Sequence, residues 1–208
     1  MKKSNFYIAL GAAVMLATSL TPAFAARADI TIGMVLEPPN LDPTAGAAGA
    51  IDEVVYANVF EGLTRFDSSG AVIPDLAKSW DISKDGLVYT FKLQSGVKFQ
   101  DGTAMDASDV KFSLDRARAK DSTNAQKALF ADIASVDVVD PTTVKVTLSK
   151  PYGLFLFNMA WGDAVIVAPE SAKTNATNPV GTGPFSFSKW VQGDRVELVK
   201  NPDYWGKP

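Results

Sequence analysis

The residues of this sequence with types and spacing suited to chemistry fall mainly in two loops. Glu37 opens the segment EPPNLDP, residues 37–43, which directly follows an alternating apolar run at 29–36. A loop at the carboxyl end of a strand is where open α/β sheets place their ligands. Glu37 can take a cationic group there, with Pro38, Asn40 and Leu41 shaping the loop around it. It can equally do no more than brace that loop, and the sequence leaves both roles open. The second loop is PVGTGPF, residues 179–185, followed after a gap by NPDYW at 201–205. It reads as a glycine-controlled entry into a β-hairpin, with Val180, Gly181, Thr182 and Gly183 expected to expose backbone N–H donors. Trp161, behind the strongly apolar run 151–160, is a further candidate, as a flat wall on which a ligand can stack.

Many reactions are excluded by what the chain lacks. Among 208 residues there is no cysteine and no histidine. Ser-His and Cys-His nucleophilic pairs therefore cannot be built, nor can the usual zinc sites. Carboxylate chemistry stays open in principle, but no spacing calls for two converging acids. The sequence accordingly assigns no catalytic residue, no metal site and no cofactor, and it leans towards binding. Twenty basic residues against 23 acidic ones give a net charge of −3. No basic stripe interrupts that balance, which argues against a nucleic-acid partner. Without disulfides, stability has to come from the core alone.

The elements that must position these loops can be read along the chain. Lys2 and Lys3, an apolar stretch at 7–20 and small residues at Ala23 and Ala25 make residues 1–25 a signal peptide, cut after Ala25. The β-branched run 29–36 is predicted to be a first strand. Helical spacing at 51–63 predicts a helix ended by Gly62. Residues 79–82 and 87–93 alternate on either side of a turn at 83–86, where Asp85 and Gly86 suit a hairpin. Asp106 is placed to cap a helix running to about residue 119, with Asp109 in its first turn. A second, shorter helix is predicted at 124–133 and a hairpin from 136–139 and 143–148. A helical run at 151–160, a short strand at 165–167 and a last hairpin from 185–191 and 195–200 complete the reading. Hairpins mixed with helices indicate an α+β or α/β plan.

Six blocks in this order resemble a known family. They are EPPNLDP at 37–43, VFEGLTRFD at 59–67, PDLAKSW at 74–80, YTFKL at 89–93, VKFQDG at 97–102 and DASDVKFSLDR at 106–116, closed by GTGP and NPDYW. Together they resemble the solute-binding proteins of ABC importers, in the peptide/nickel class called family 5. The resemblance implies an α/β chain with the type II periplasmic binding protein fold and the extra subdomain of that class. Residues 26–48 would start lobe I, residues 49–176 would form the extra subdomain, and residues 177–208 would return to lobe I. This would be the N-terminal part of a two-lobed clamshell, with the second lobe absent and binding impaired. It further implies a monomer in the periplasm that hands a small solute to an inner-membrane ABC permease. Peptide is the default solute, while sugars, opines, glutathione-like compounds and metal chelates are bound by relatives. In that family the loop containing Glu37 borders the cleft, and the backbone near Asn40 would pair with an extended peptide as an added strand does. Residues 180–183 would lie near the inter-lobe crossing, as hinge or rim. Two other classes remain open on the residues alone, a small carboxylate-dependent hydrolase and an envelope chaperone-like protein with an exposed apolar groove.

Overall fold

The computed structural model describes residues 29–206. The predicted signal peptide, residues 1–25, lies outside them. Residues 29–33 belong to a unit separate from the one that begins at Met34. Across 29–36 the predicted first strand is not formed, and Ile30 and Val35 are 84% and 96% exposed. A strand exists only through its neighbours' hydrogen bonds, and no described residue pairs with this run.

From Met34 onward the fold is built on antiparallel hairpins. Strands β1 (Thr64–Phe66) and β2 (Val72–Pro74) form one small ribbon. The main sheet has the order β3-β4-β6-β5, from β3 (Ala77–Ile82), β4 (Val88–Leu93), β5 (Ile133–Asp140) and β6 (Thr143–Leu148). Both hairpins of this sheet fall where the alternation predicts them. Tyr89, Phe91 and Leu93 point into the core, and Gly86 takes φ +70° in the turn, a conformation that an L side chain resists. Helix α2 (Ala107–Arg118) packs against β5 and β6 with Val110, Leu114 and Ala117 inward. Its start is a capping box. The Asp106 carboxylate accepts from the Ser108 amide at 2.6 Å, and the Asp106 amide donates to Asp109 at 2.9 Å.

The other helices are shorter than their apolar spacing suggests. Helix α1 (Gly49–Val55) stops well before Gly62. The Asn58 side chain donates to the Val54 carbonyl at 3.0 Å, taking the acceptor that the next helical amide would use. Ala57 then turns left-handed at φ 57°, and the amides of Val59 and Phe60 both return to the Val55 carbonyl. The predicted helix at 124–133 is a single 3-10 turn, Lys127–Phe130, because Ile133 already pairs with Leu148 as strand β5. Only α3 (Phe155–Asn158) forms within 151–160. The predicted strand at 165–167 is reduced to one bridge between Val165 and Gly62, although all three of its side chains are buried.

A second apolar core holds the remaining parts together. Leu41, Ile51, Val55, Phe60, Val165 and Val167 form it. The last hairpin, β7 (Phe185–Val191) and β8 (Arg195–Lys200), packs Phe187, Trp190 and Leu198 against it. This core carries the loops that the sequence marks as functional.

Replacing the cap is a clean test of this local logic. Asp106→Ala is expected to lower stability by about 1 kcal/mol, through loss of the bond to the first-turn amide. Urea unfolding followed by far-ultraviolet circular dichroism checks it. An unchanged midpoint would mean that α2 is held by packing alone.

Candidate functional site

An open groove of about 420 Å³ lies beside the loop that begins at Glu37. Its walls come from three pieces of chain. Asp42 and Ala45 come from the loop, Phe112 and Arg116 from α2, and Lys173 and Ala176 from the turn-rich segment 169–176. That volume is in the range of small-molecule sites. Phe112 and Arg116 are four residues apart and so share one face of the helix, one turn from each other. Both lie off the stripe by which α2 enters its own core.

Each wall is fixed by hydrogen bonds. The Ser113 hydroxyl gives its proton to the Asp109 carbonyl at 2.8 Å and accepts from the Val167 amide at 2.9 Å, stitching α2 to the strand-like segment just before residue 169. The Leu41 amide donates to the Ala176 carbonyl at 2.9 Å, which ties the loop to the far end of that wall. Asp42 is only 2% exposed, and one of its carboxylate oxygens accepts from the amide and hydroxyl of Thr44. The other lies 3.4 Å from the Arg116 guanidinium, which also donates to the Thr44 hydroxyl. Asp42 thus spends its charge inside the wall. Lys173 is exposed and makes no ion pair and no side-chain hydrogen bond among the described residues. The groove carries a residual positive charge.

None of the residues singled out from the sequence lines this groove directly. Leu41 is fully buried in the second core, Pro38 is buried, and Asn40 uses its side-chain oxygen to accept from the Asp42 amide at 2.8 Å. Glu37 braces. One carboxylate oxygen accepts from the Trp190 indole and the Gly193 amide, both at 2.9 Å, fastening the loop to the tip of the last hairpin. Trp161 is 40% exposed and belongs to a row of rings with Phe157 at 6.2 Å and, beyond it, Phe66. The residues of the groove that the sequence reading passed over are Phe112, Arg116 and Lys173. An aromatic residue off the core stripe of a helix, followed one turn later by arginine, was the available signal.

The glycine loop is a correction. Its backbone donors were expected to be exposed, yet Gly181, Thr182 and Gly183 are buried. The amides of Val180, Gly181 and Gly183 donate to Asn175, Gln100 and Val59 respectively. A Cβ on Gly181 would stand 2.0 Å from the Val59 carbonyl oxygen, and one on Gly183 would stand 2.4 Å from that of Asn58. Close approach of two backbones is what requires these glycines. The approach is locked by Glu61, 4% exposed, whose carboxylate accepts from the Thr182 hydroxyl at 2.7 Å, the Tyr204 hydroxyl at 2.7 Å and the Trp205 indole at 2.8 Å. Burial pushes the Glu61 carboxyl up, and these three donors pull it partly back. Its neighbour Asp75 is pushed up to about 8, first by burial and then by the charge of Glu61, with the half-exposed Arg65 at 3.8 Å as a weak counterweight.

That arrangement has a direction in pH. A raised folded value means that the folded chain keeps a proton the unfolded chain releases, so stability falls as pH rises between the two values. Asp109 and Asp163, each pushed up to about 6, contribute below the upper part of that window. Between about pH 6.5 and 8 the native chain is expected to lose stability by up to about 1.4 kcal/mol per pH unit. Asp75→Asn, which mimics the protonated acid, should flatten that stretch and be the more stable of the two at pH 8. Denaturant midpoints at several pH values decide it, and parallel curves for the two proteins would place the charge elsewhere.

Residues 71–208 match the model of the family described as bacterial extracellular solute-binding proteins, family 5, middle. The glutathione-binding protein GsiB of Pectobacterium atrosepticum is 39% identical over 201 residues, which cover 94% of this chain and 38% of that protein. GsiB of Escherichia coli K12 is 36% identical over 202 residues, covering 95% and 39%. Among solved structures, AgaA of A. tumefaciens R10 in complex with agropinic acid superposes with a TM-score of 0.77 at 31% identity, over 82% of this chain and 35% of that one. NikZ of Campylobacter jejuni in complex with Ni(L-His) gives 0.72 at 38% identity, over 82% and 35%. DppA of Helicobacter pylori in complex with the peptide STSA gives 0.71 at 31%, over 81% and 38%. The chain therefore spans a little over a third of the length of these relatives and carries part of the mixed α/β type II periplasmic binding fold. It belongs to the bacterial extracellular solute-binding proteins of family 5.

Proposed function

We propose that this chain is part of the periplasmic solute-binding component of an ABC importer, which captures an oligopeptide, a dipeptide or a similar small solute and delivers it to an inner-membrane permease. The single observation that carries the reading is the groove of about 420 Å³, set beside the Glu37 loop in a chain of this family. It forms one wall of the solute site, and the facing wall comes from a second lobe that closes by a hinge. Residues 26–48 begin lobe I, 49–176 form its extra subdomain and 177 onward return to it. Packing of the last hairpin on the core that contains Leu41 and α1 supports that return. Glu37, Pro38, Asn40 and Leu41 shape the rim next to the groove, and Trp161 offers an exposed ring on another part of the rim. Val180, Gly181, Thr182 and Gly183 form the fixed side of the hinge, since their hydrogen bonds point inward. Export is directed by a signal peptide, residues 1–25, that is cut after Ala25, and no covalent chemistry is performed.

Affinity is the test. Small-solute sites gain affinity by enclosing most of the ligand's surface. One wall alone leaves much of it in water, and losing about 4 kcal/mol weakens a micromolar site roughly a thousandfold. This chain is expected to hold glutathione or a dipeptide mixture only in the millimolar range, and a version carried on to the length of its relatives in the micromolar range. Calorimetry on both checks it. Equal affinity would place the whole site within this chain, and no binding by the longer version would overturn the solute-binding reading.

A further inference from the structure

We infer that the groove is built to receive a carboxylate, held by Lys173, on a ligand whose apolar body lies against Phe112. This rests on the reading of the groove as one wall of the solute site and names the chemistry that the wall selects.

The argument is one of leftover charge. Three charged side chains line the groove, Asp42, Arg116 and Lys173. Two of them are satisfied by each other. Asp42 is 2% exposed, closed on one side by the amide and hydroxyl of Thr44 and on the other by Arg116 at 3.4 Å. Arg116 is in turn anchored to Asp42 and Thr44. A guanidinium held this way stays at one spot and needs no ligand to order it. Lys173 is the cation without an anion, in a chain whose acids outnumber its bases. Its ammonium is a compact charge on a flexible stem and can follow a carboxylate entering the groove. The groove's remaining walls are Ala45, Phe112, Pro169, Ala172 and Ala176, which offer contact area and no competing charge. Phe112 packs against the second core. A ring fixed from behind gives an apolar body a surface at no ordering cost.

The charges packed around α2 at this face are consistent with that polarity. Asp109 lies towards the helix start, engaged in the capping box, with Glu170 near enough for its charge to act on it. Asp115 is taken by Lys111 and Arg118. Among the described residues no acid forms an ion pair with the Lys173 ammonium.

The test uses this chain and a matched pair of probes, N-acetyl-leucine and its amide, which differ only in the carboxylate. Amide chemical shifts in a heteronuclear titration report both affinity and place. N-acetyl-leucine is expected to move the signals of residues 112, 116 and 173, and to bind about fivefold more tightly than the amide, the size of a partly exposed charge pair. The preference should shrink as salt screens it. Lys173→Ala should reduce the acid to the level of the amide, Lys173→Arg should preserve the preference, and Lys78→Ala, an exposed lysine elsewhere, should leave it intact. Equal binding of acid and amide to the native chain, or an unchanged preference in Lys173→Ala, overturns the carboxylate assignment while leaving the groove as a solute wall. Absence of any shift at the groove with either probe, at concentrations to which the longer version responds, overturns both.

Discussion

One buried carboxylate organises this molecule. Glu61 comes from the segment just after α1, Thr182 from the glycine loop, and Tyr204 and Trp205 from the stretch after the last strand. The donors all lie more than 120 residues from Glu61 in sequence, and nothing local would bring them to it. A buried charge is costly unless its oxygens are satisfied. Here three donors at 2.7–2.8 Å satisfy them, so the only way for the chain to bury Glu61 is to bring all three donors in. The glycines follow from that demand. Gly181 and Gly183 run so close to Val59 and Asn58 that a side chain on either would strike a carbonyl oxygen. Gln100 closes the same junction from the other core, donating to the carbonyls of Val59, Gly183 and Phe185.

The groove depends on that junction at one remove. Val165 and Val167 join the second core together with Phe60, next to Glu61 in sequence. The Ile166 amide donates to the Glu61 carbonyl at 2.9 Å, so the clasp residue's own backbone fixes the segment that leads into the 169–176 wall. Ser113 then holds α2 to the same segment, and with it Phe112 and Arg116. On the opposite wall, Glu37 ties the loop to the last hairpin and Leu41 ties it to Ala176. The groove is therefore preorganised, each wall being fixed by bonds that no ligand has to form.

How much of this was legible in the sequence varies with the range of the interaction. Hairpins whose alternation and turn residues agree, such as β3–β4 with Gly86, were readable because both signals are local. So was α2, where Asp106 and Asp109 announce the cap. Helices 51–63, 124–133 and 151–160 were over-read because apolar spacing alone does not say which core a residue serves. Val59 and Phe60 are buried at the end of that first run, but in an extended turn that Asn58 starts by capping Val54. The run 29–36 has strand composition, yet pairing is a property of neighbours, and composition cannot supply them. The EGL, GTGP and NPDYW blocks were visible as separate motifs. That they are three parts of one clasp was not, since a hydrogen bond spanning 121 to 144 residues leaves no mark in spacing. The groove was missed for a related reason. The loop's acid and prolines are local signals, whereas the walls are an aromatic ring and two cations drawn from elements far apart.

The two sets of charges are treated in opposite ways, and this separates structure from recognition. Around Glu61 and Asp75 two acids share one half-exposed arginine, and the outcome is upward pressure on both carboxyls. Such a cluster is closed, since the Glu61 oxygens already meet three donors of the chain and both acids are buried. In the groove the imbalance has the other sign and stays open to solvent. Arg116 and Asp42 cancel within the wall, and Lys173 is left facing outward. Surplus charge that is buried perturbs its own ionisation, whereas surplus charge at an open groove acts on what enters. On that physical ground the clasp holds this part of the fold in shape, and under the proposed function the groove is the part that would meet a solute.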